Sequence, residues 1–163
     1  MAEIVIKRVG RSLAQVRVEG TAPLIMNRFS EKARQMMEAS QQGRARMREP
    51  KNPEELFEGS LYRLPGDRFG MPATAFKGAI VDAARFFKGS KLTMTALKQM
   101  IFIKGEGSDM LVPIDGVPKM RTDPVRNATG VADIRYRGEF WPWTATVEVV
   151  FVKGMFDLSS LVA

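Results

Sequence analysis

Phe69-Gly-Met-Pro-Ala-Thr-Ala-Phe-Lys-Gly-Ala-Ile-Val-Asp-Ala-Ala-Arg-Phe-Phe87 decides how the rest of the chain is read. A short apolar turn leads into Pro72, then Thr74, a residue able to cap a helix, then the pair Lys77-Gly78. Phe76, Ile80, Ala83 and Phe87 recur at helical spacing and form one apolar stripe, which predicts a helix over 74–88. The first turn of a helix offers free backbone N–H groups at the positive end of the dipole. A lysine there is poorly placed for helix stability and well placed to hold a phosphate together with those N–H groups. Lys77 is read in that position, and Gly78 beside it leaves room for a ligand backbone. Lys88 lies about three turns on, on nearly the same side, and Arg85 is close to it, so a basic stripe would run beside the apolar one. The same pattern also describes an ordinary solvated amphipathic helix, and both readings stay open.

Working outward, residues 3–9 and 13–19 read as two strands joined by Gly10-Arg11-Ser12, with Val16 and Val18 alternating with Gln15, Arg17 and Glu19. Pro23 to Met26 is a short apolar segment. Ser30 is a candidate cap for a helix from Glu31 to Gln41, whose softer face carries Ala33, Met36, Met37 and Ser40. Residues 42–60, punctuated by Gly43, Pro50, Pro53 and Gly59, read as a loop or insertion. Leu61 to Leu64 is a short strand and Pro65-Gly66-Asp67 a turn. After the helix at 74–88, Thr93 to Met100 reads as a second short helix, with Met94, Leu97 and Ile101 on one side. Ile101 to Ile103 and Met110 to Ile114 read as strands, and 115–130 as an extended loop. Two strands follow. Residues 131–137 would put Ala132, Ile134 and Tyr136 inside and Asp133, Arg135 and Arg137 outside. Residues 144–152 would put Val147, Val149 and Phe151 on one face. Asp157 to Ala163 reads as the first turn of a further helix. This order predicts an α+β protein, ferredoxin-like, with helices on one face of an antiparallel sheet.

The 163 residues suit one domain, and the net charge is +7. Such a balance favours polyanionic partners, chiefly nucleic acid or an anionic membrane surface. No apolar run is long enough to span a bilayer and no signal peptide is read, which fits a cytoplasmic protein without a membrane role. Cysteine and histidine are both absent. That excludes disulfides, thiolate chemistry, imidazole general bases, His-based triads and the usual zinc sites, and shifts the weight from enzyme to binder. No cofactor or metal is implied.

Further groups could serve a polyanion. Arg44, Arg46 and Arg48 alternate in the loop at 42–60 and could track a phosphate backbone, with Arg28, Lys32 and Arg34 enlarging the patch. They could equally be a solvated loop. Arg135-Tyr-Arg137-Gly-Glu-Phe-Trp141-Pro-Trp143 interleaves cations with rings, the usual physics of single-strand binding. Two tryptophans flanking a proline also commonly cover a core edge. Asp109, Asp115 and Asp123 could suggest metal-dependent hydrolysis, but such residues beside Gly and Pro more often shape turns.

Leu61 to Arg85 resembles the RAMP superfamily, the RNA-binding backbone and processing subunits of CRISPR effector complexes. The family pattern has a short strand, a turn, an isoleucine–proline–small–small–leucine–lysine–glycine lead-in to a helix, and an arginine late in that helix. Met71-Pro72-Ala73-Thr74-Ala75-Phe76-Lys77-Gly78 and Arg85 occupy those places. The resemblance covers roughly a quarter of the chain by motif and the flanks by element order. It implies a ferredoxin-like, RRM-related fold for residues 1–163 that binds RNA along its backbone. Lys77 and Arg85 would be phosphate contacts, and the basic segment 42–60 a variable insertion. RNA-cutting members use an Asp in an early loop. Residues 42–60 contain none, so cleavage is not implied. The family's C-terminal glycine-rich loop has no counterpart in these residues. The small, basic, Met-rich form also resembles phage-encoded proteins.

The expectation is therefore a non-enzymatic binder of single-stranded RNA or DNA, RNA favoured, with self-association or membership of a larger complex. Lys77, Arg85, Lys88, Arg28, Arg44, Arg46, Arg48, Arg135, Arg137, Trp141 and Trp143 form its expected contact set. The alternatives are a protein-interaction module, such as a phage assembly factor or a decoy of a CRISPR subunit, and a metal-dependent nuclease.

Overall fold

The computed structural model describes residues 10–29, 31–43, 50–86, 93–126 and 130–154. Its fold is mixed α+β with antiparallel strand pairing, and the chain divides into two compact units.

The first unit draws on Met1–Val18, Met71–Pro113 and Ala145–Ala163. Strand β1 is Arg11–Glu19, and its alternation points Val16 and Val18 inward and Gln15, Arg17 and Glu19 outward, as the sequence predicts. Arg11 and Ser12 belong to the strand, not to a turn. The strand expected at 3–9 lies outside the described residues. Helix α3, Ala73–Ala83, is followed by helix α4, Met94–Met100, and strand β5, Ile101–Ile103. Thr93 caps α4, its Oγ1 accepting from Ala96 N–H at 3.1 Å. β5 pairs antiparallel with β9, Thr144–Val152, setting Ile101 opposite Phe151 and Ile103 opposite Val149. With β6, Leu111–Asp115, and β4, Arg68–Pro72, the sheet runs β1–β9–β6–β4. Val81, Leu97, Ile101, Leu111, Val112, Val147 and Val149 fill the core.

The α3 region departs from expectation at both ends and in its buried face. Pro72, not Thr74, occupies the cap position and no side chain caps the helix. The Ala73 N–H donates instead to the Met110 carbonyl at 2.9 Å. The buried stripe is also shifted: Ala73 and Val81 are buried, whereas Ala83 is exposed. The helix also ends early: it stops at Ala83 and Ala84–Phe86 form a turn, so Arg85 lies beyond the helix expected to carry it. Phe87, Lys88, the Asp157–Ala163 segment and Ser30 lie outside the described residues.

The second unit comprises Glu19–Gly70 and Ile114–Thr144. Strand β2, Leu24–Met26, and β7, Pro118–Arg126, flank β8, Ala132–Phe140, in a three-stranded sheet. Helix α1 is Glu31–Gln41, as expected, and α2 is Pro53–Gly59. β3, Arg63–Leu64, turns back on the start of β4 through Pro65-Gly66-Asp67, where Gly66 and Asp67 both take positive φ. Met26, Leu61, Leu64, Ile114 and Phe140 are buried. Phe69 packs edge-on against Phe140, with centroids 5.4 Å apart.

Three expectations here need correction. The loop at 42–60 contains α2. Pro53 starts that helix, because Asn52 caps it by accepting from the Glu54 and Glu55 N–H groups, and those two acids meet the positive end of the dipole. The loop at 115–130 contains the nine-residue strand β7. Its prolines, 118 and 124, are tolerated because β7 is an edge strand with β8 on one side only. Finally, β8 keeps the predicted alternation of faces but not the predicted burial. Its even-numbered face is covered at Gly138 and Phe140, while Ala132 and Ile134 project past that cover and are exposed. No helix among the described residues is long and apolar enough to cross a membrane.

Candidate nucleic-acid interface

Lys77 is the fifth residue of α3, one residue further from the helix start than the expected helix over 74–88 would place it and past its first turn. Its ammonium sits 5.0 Å from the centroid of the Phe102 ring. The β alternation explains that ring: Ile101 and Ile103 enter the core, so Phe102 points the other way and is half exposed. A groove of 700 Å³ separates α3 from α4, lined by Thr74, Lys77, Gly78, Val81 and Asp82 on one side and Met94, Thr95 and Lys98 on the other. Neither Lys77 nor Lys98 has a carboxylate partner among the described residues. A Cβ built on Gly78 would meet nothing within 4 Å. Arg85 is exposed, with Nε 3.2 Å from Met94 Sδ and Nη2 4.0 Å from the Asp82 carboxylate.

In the second unit, Arg28 and Arg135, far apart in sequence, line one cleft of 390 Å³ with Lys51, Asp133 and Tyr136. The Arg28 guanidinium lies 5.9 Å from the Tyr62 centroid. Lys51 donates to the Asp133 carboxylate and to the Ile134 carbonyl. That bond holds the Asp133 carboxyl below its usual range.

Other expected contacts are committed elsewhere. Lys32 pairs with Glu55, and Arg34 with Glu31 and Glu38, so neither adds a free cation to a patch. Arg137 was expected outside, yet only a fifth of its side chain is exposed, and it donates to Asp123 at 3.4 Å. It stands opposite Arg121 across β7 and β8. Arg121 bonds Asp123 at 2.8 Å and Glu139 at 2.6 Å, contacts that raise its pKa further, the Glu139 bond most. Two like charges face each other there because Asp123 bridges them and Glu139 pairs Arg121 again. Trp143 is tied down: its indole N–H donates to the Ala22 carbonyl at 2.9 Å. The indole also lies against Gly20, where a Cβ would come within 2.1 Å of Nε1. Trp141 is about half exposed. Arg44, Arg46, Arg48 and Lys88 lie outside the described residues.

The three aspartates do not converge. Asp115 accepts from the Thr144 hydroxyl at 3.4 Å and Asp123 is held by the two arginines. Among the described residues no group of three acidic side chains could hold a metal ion.

The sequence reading passes over Phe102 and Lys98. The Ile-Phe-Ile triplet carried the signal for the first, since two buried isoleucines force the residue between them outward. Comparison with known proteins finds no family model, no curated protein and no solved structure that matches this chain.

Proposed function

We propose that this chain is a non-enzymatic, RAMP-like subunit that binds single-stranded nucleic acid, RNA in preference to DNA, through phosphate contacts. The proposal includes a ferredoxin-like core, a cytoplasmic and phage-related setting, and assembly into a homo-oligomer or a larger complex. The observation that supports it is the α3–α4 groove, where Lys77 and Lys98 carry positive charge without carboxylate partners among the described residues beside the bare surface of Gly78. In a chain of net charge +7, such groups suit a phosphate backbone. Arg28 and Arg135 on their common cleft offer a second set of cations.

The test is affinity for single-stranded RNA and DNA oligomers of equal length at two salt concentrations. Binding should weaken as salt rises, and Lys77→Ala should weaken it for every sequence while lowering the salt slope by about one. Negligible affinity at low salt, or affinity indifferent to salt, overturns the reading.

One observation favours a second reading, a protein-interaction module. Helix α1 buries none of its residues, and Met37, with Phe29 just before the helix, is more than half exposed. Light scattering on wild type and Met37→Glu tests whether this surface joins copies of the chain: an assembly that dissociates in the variant supports that role, and a wild-type monomer confines the second reading to an unlike partner protein.

A further inference from the structure

We infer that the Phe102 ring is a stacking platform for one nucleobase, with Lys77 pairing the adjoining phosphate; this rests on the nucleic-acid reading above. Phe102 is half exposed at the centre of a strand whose two neighbours are buried. The Lys77 ammonium lies over the ring, 5.0 Å from its centroid. A cation over an exposed ring is a weak contact, and a base stacked on an aromatic ring is a stronger one. A base therefore displaces the ammonium from the ring. The ammonium stays tethered to α3 beside that base, where the phosphate of the same nucleotide lies within its reach. Gly78, next in sequence, presents no side chain to obstruct the sugar–phosphate chain, and Lys98 on the facing wall supplies a second cation. The ligand class is single-stranded nucleic acid recognised through base planes and phosphates, not through base edges. Recognition of that kind tolerates any sequence but requires bases.

The experiment compares two single-stranded oligomers of the same length and charge, one carrying bases and one abasic. Wild-type protein should bind the base-bearing oligomer more tightly, and Phe102→Ala should lose roughly 5- to 150-fold on it. The abasic oligomer should bind wild type and Phe102→Ala alike. Phe102→Leu keeps an apolar side chain without a flat π-face and should behave as Phe102→Ala, so a folding defect in the alanine variant leaves the test intact. Phe102→Trp should retain affinity, and its added fluorescence should be quenched by the base-bearing oligomer alone. Equal losses on both oligomers, or no loss on either, overturn the stacking role while leaving phosphate binding in place. Failure of wild type to bind either oligomer overturns the nucleic-acid reading itself.

Discussion

The backbone N–H of Gly138 donates to the buried hydroxyl oxygen of Ser60 at 2.8 Å. The same hydroxyl donates to the Phe57 carbonyl at 2.6 Å, so a single oxygen joins the end of α2 to the last third of β8. Ser60 is the buried polar residue among those described, and both bonds of its hydroxyl are to backbone. Ser60→Ala would leave the Gly138 N–H without its partner in the core. A buried donor left unsatisfied costs about 1–3 kcal/mol. Denaturant unfolding should show a loss of that size. Ser60→Cys keeps a weak acceptor of similar shape and should lose less.

Gly138 is also irreplaceable for its size. A Cβ at that position would come within 2.2 Å of Leu61 Cδ2, and Leu61 is fully buried. The buried leucine would have to shift to make room, so Gly138→Ala should cost about 1–3 kcal/mol, as overpacking does. Pairing it with Leu61→Ala should recover part of the β8 strain while adding a cavity penalty. The double variant should then be more stable than the sum of the two single losses predicts, which a double-mutant cycle measures.

These two residues show where sequence reading stops. Glycine in a strand announces close approach of something, but only the fold names Leu61 as that neighbour. Elements with strong local signals were legible: α1 and α4 have the expected extents, and the alternation in β1 and β9 put the right residues inward. Elements that depend on partners were not. Prolines at 118 and 124 hid β7 because nothing local distinguishes an edge strand from a loop. Pro53 hid α2 because a helix-starting proline and a loop proline look alike until Asn52 is seen to cap. The candidate site divides the same way. Lys77 was singled out by its expected place in the first turn of a helix, although the structure seats it at the fifth residue. Phe102 and Lys98 became candidates only once α3, α4 and β5 were brought together. Conversely, the charges on Arg137 and Arg34 were plain in sequence, but their carboxylate partners were not.

Trp143 carries a prediction that separates architecture from binding. Its indole N–H meets the Ala22 carbonyl, and the Gly20 N–H donates to the Trp143 carbonyl at 3.0 Å. Trp143→Phe removes the indole bond and should destabilise the protein by about 1 kcal/mol. If the ring serves only to clamp this edge, oligonucleotide affinity should be unchanged at a temperature where the variant is folded. A fall in affinity beyond twofold there would return Trp143 to the set of stacking residues.

Acid should act on the first unit through Glu148. Its carboxylate accepts from the Gln15 amide at 2.8 Å and pairs with the Lys104 ammonium at 3.2 Å, linking β1 and the end of β5 to β9. Both bonds favour the ionised form, the Gln15 bond most, and lower the pKa from the ordinary 4.5. Because the folded state holds this proton less tightly than the unfolded state, stability rises with pH across the window between the two values. The contribution is complete above about pH 4.5 and is lost as pH falls through the lowered folded value. The Lys51–Asp133 pair in the second unit acts in the same direction, from an ordinary value of 3.8. Urea unfolding of wild type and Glu148→Gln at several pH values checks this. The gap between the two proteins should be constant from pH 8 to about 5 and close progressively below about 4.5, because protonated Glu148 keeps no ion pair for the variant to lack. A gap that persists unchanged in acid would mean that Glu148 contributes through packing and neutral hydrogen bonds alone.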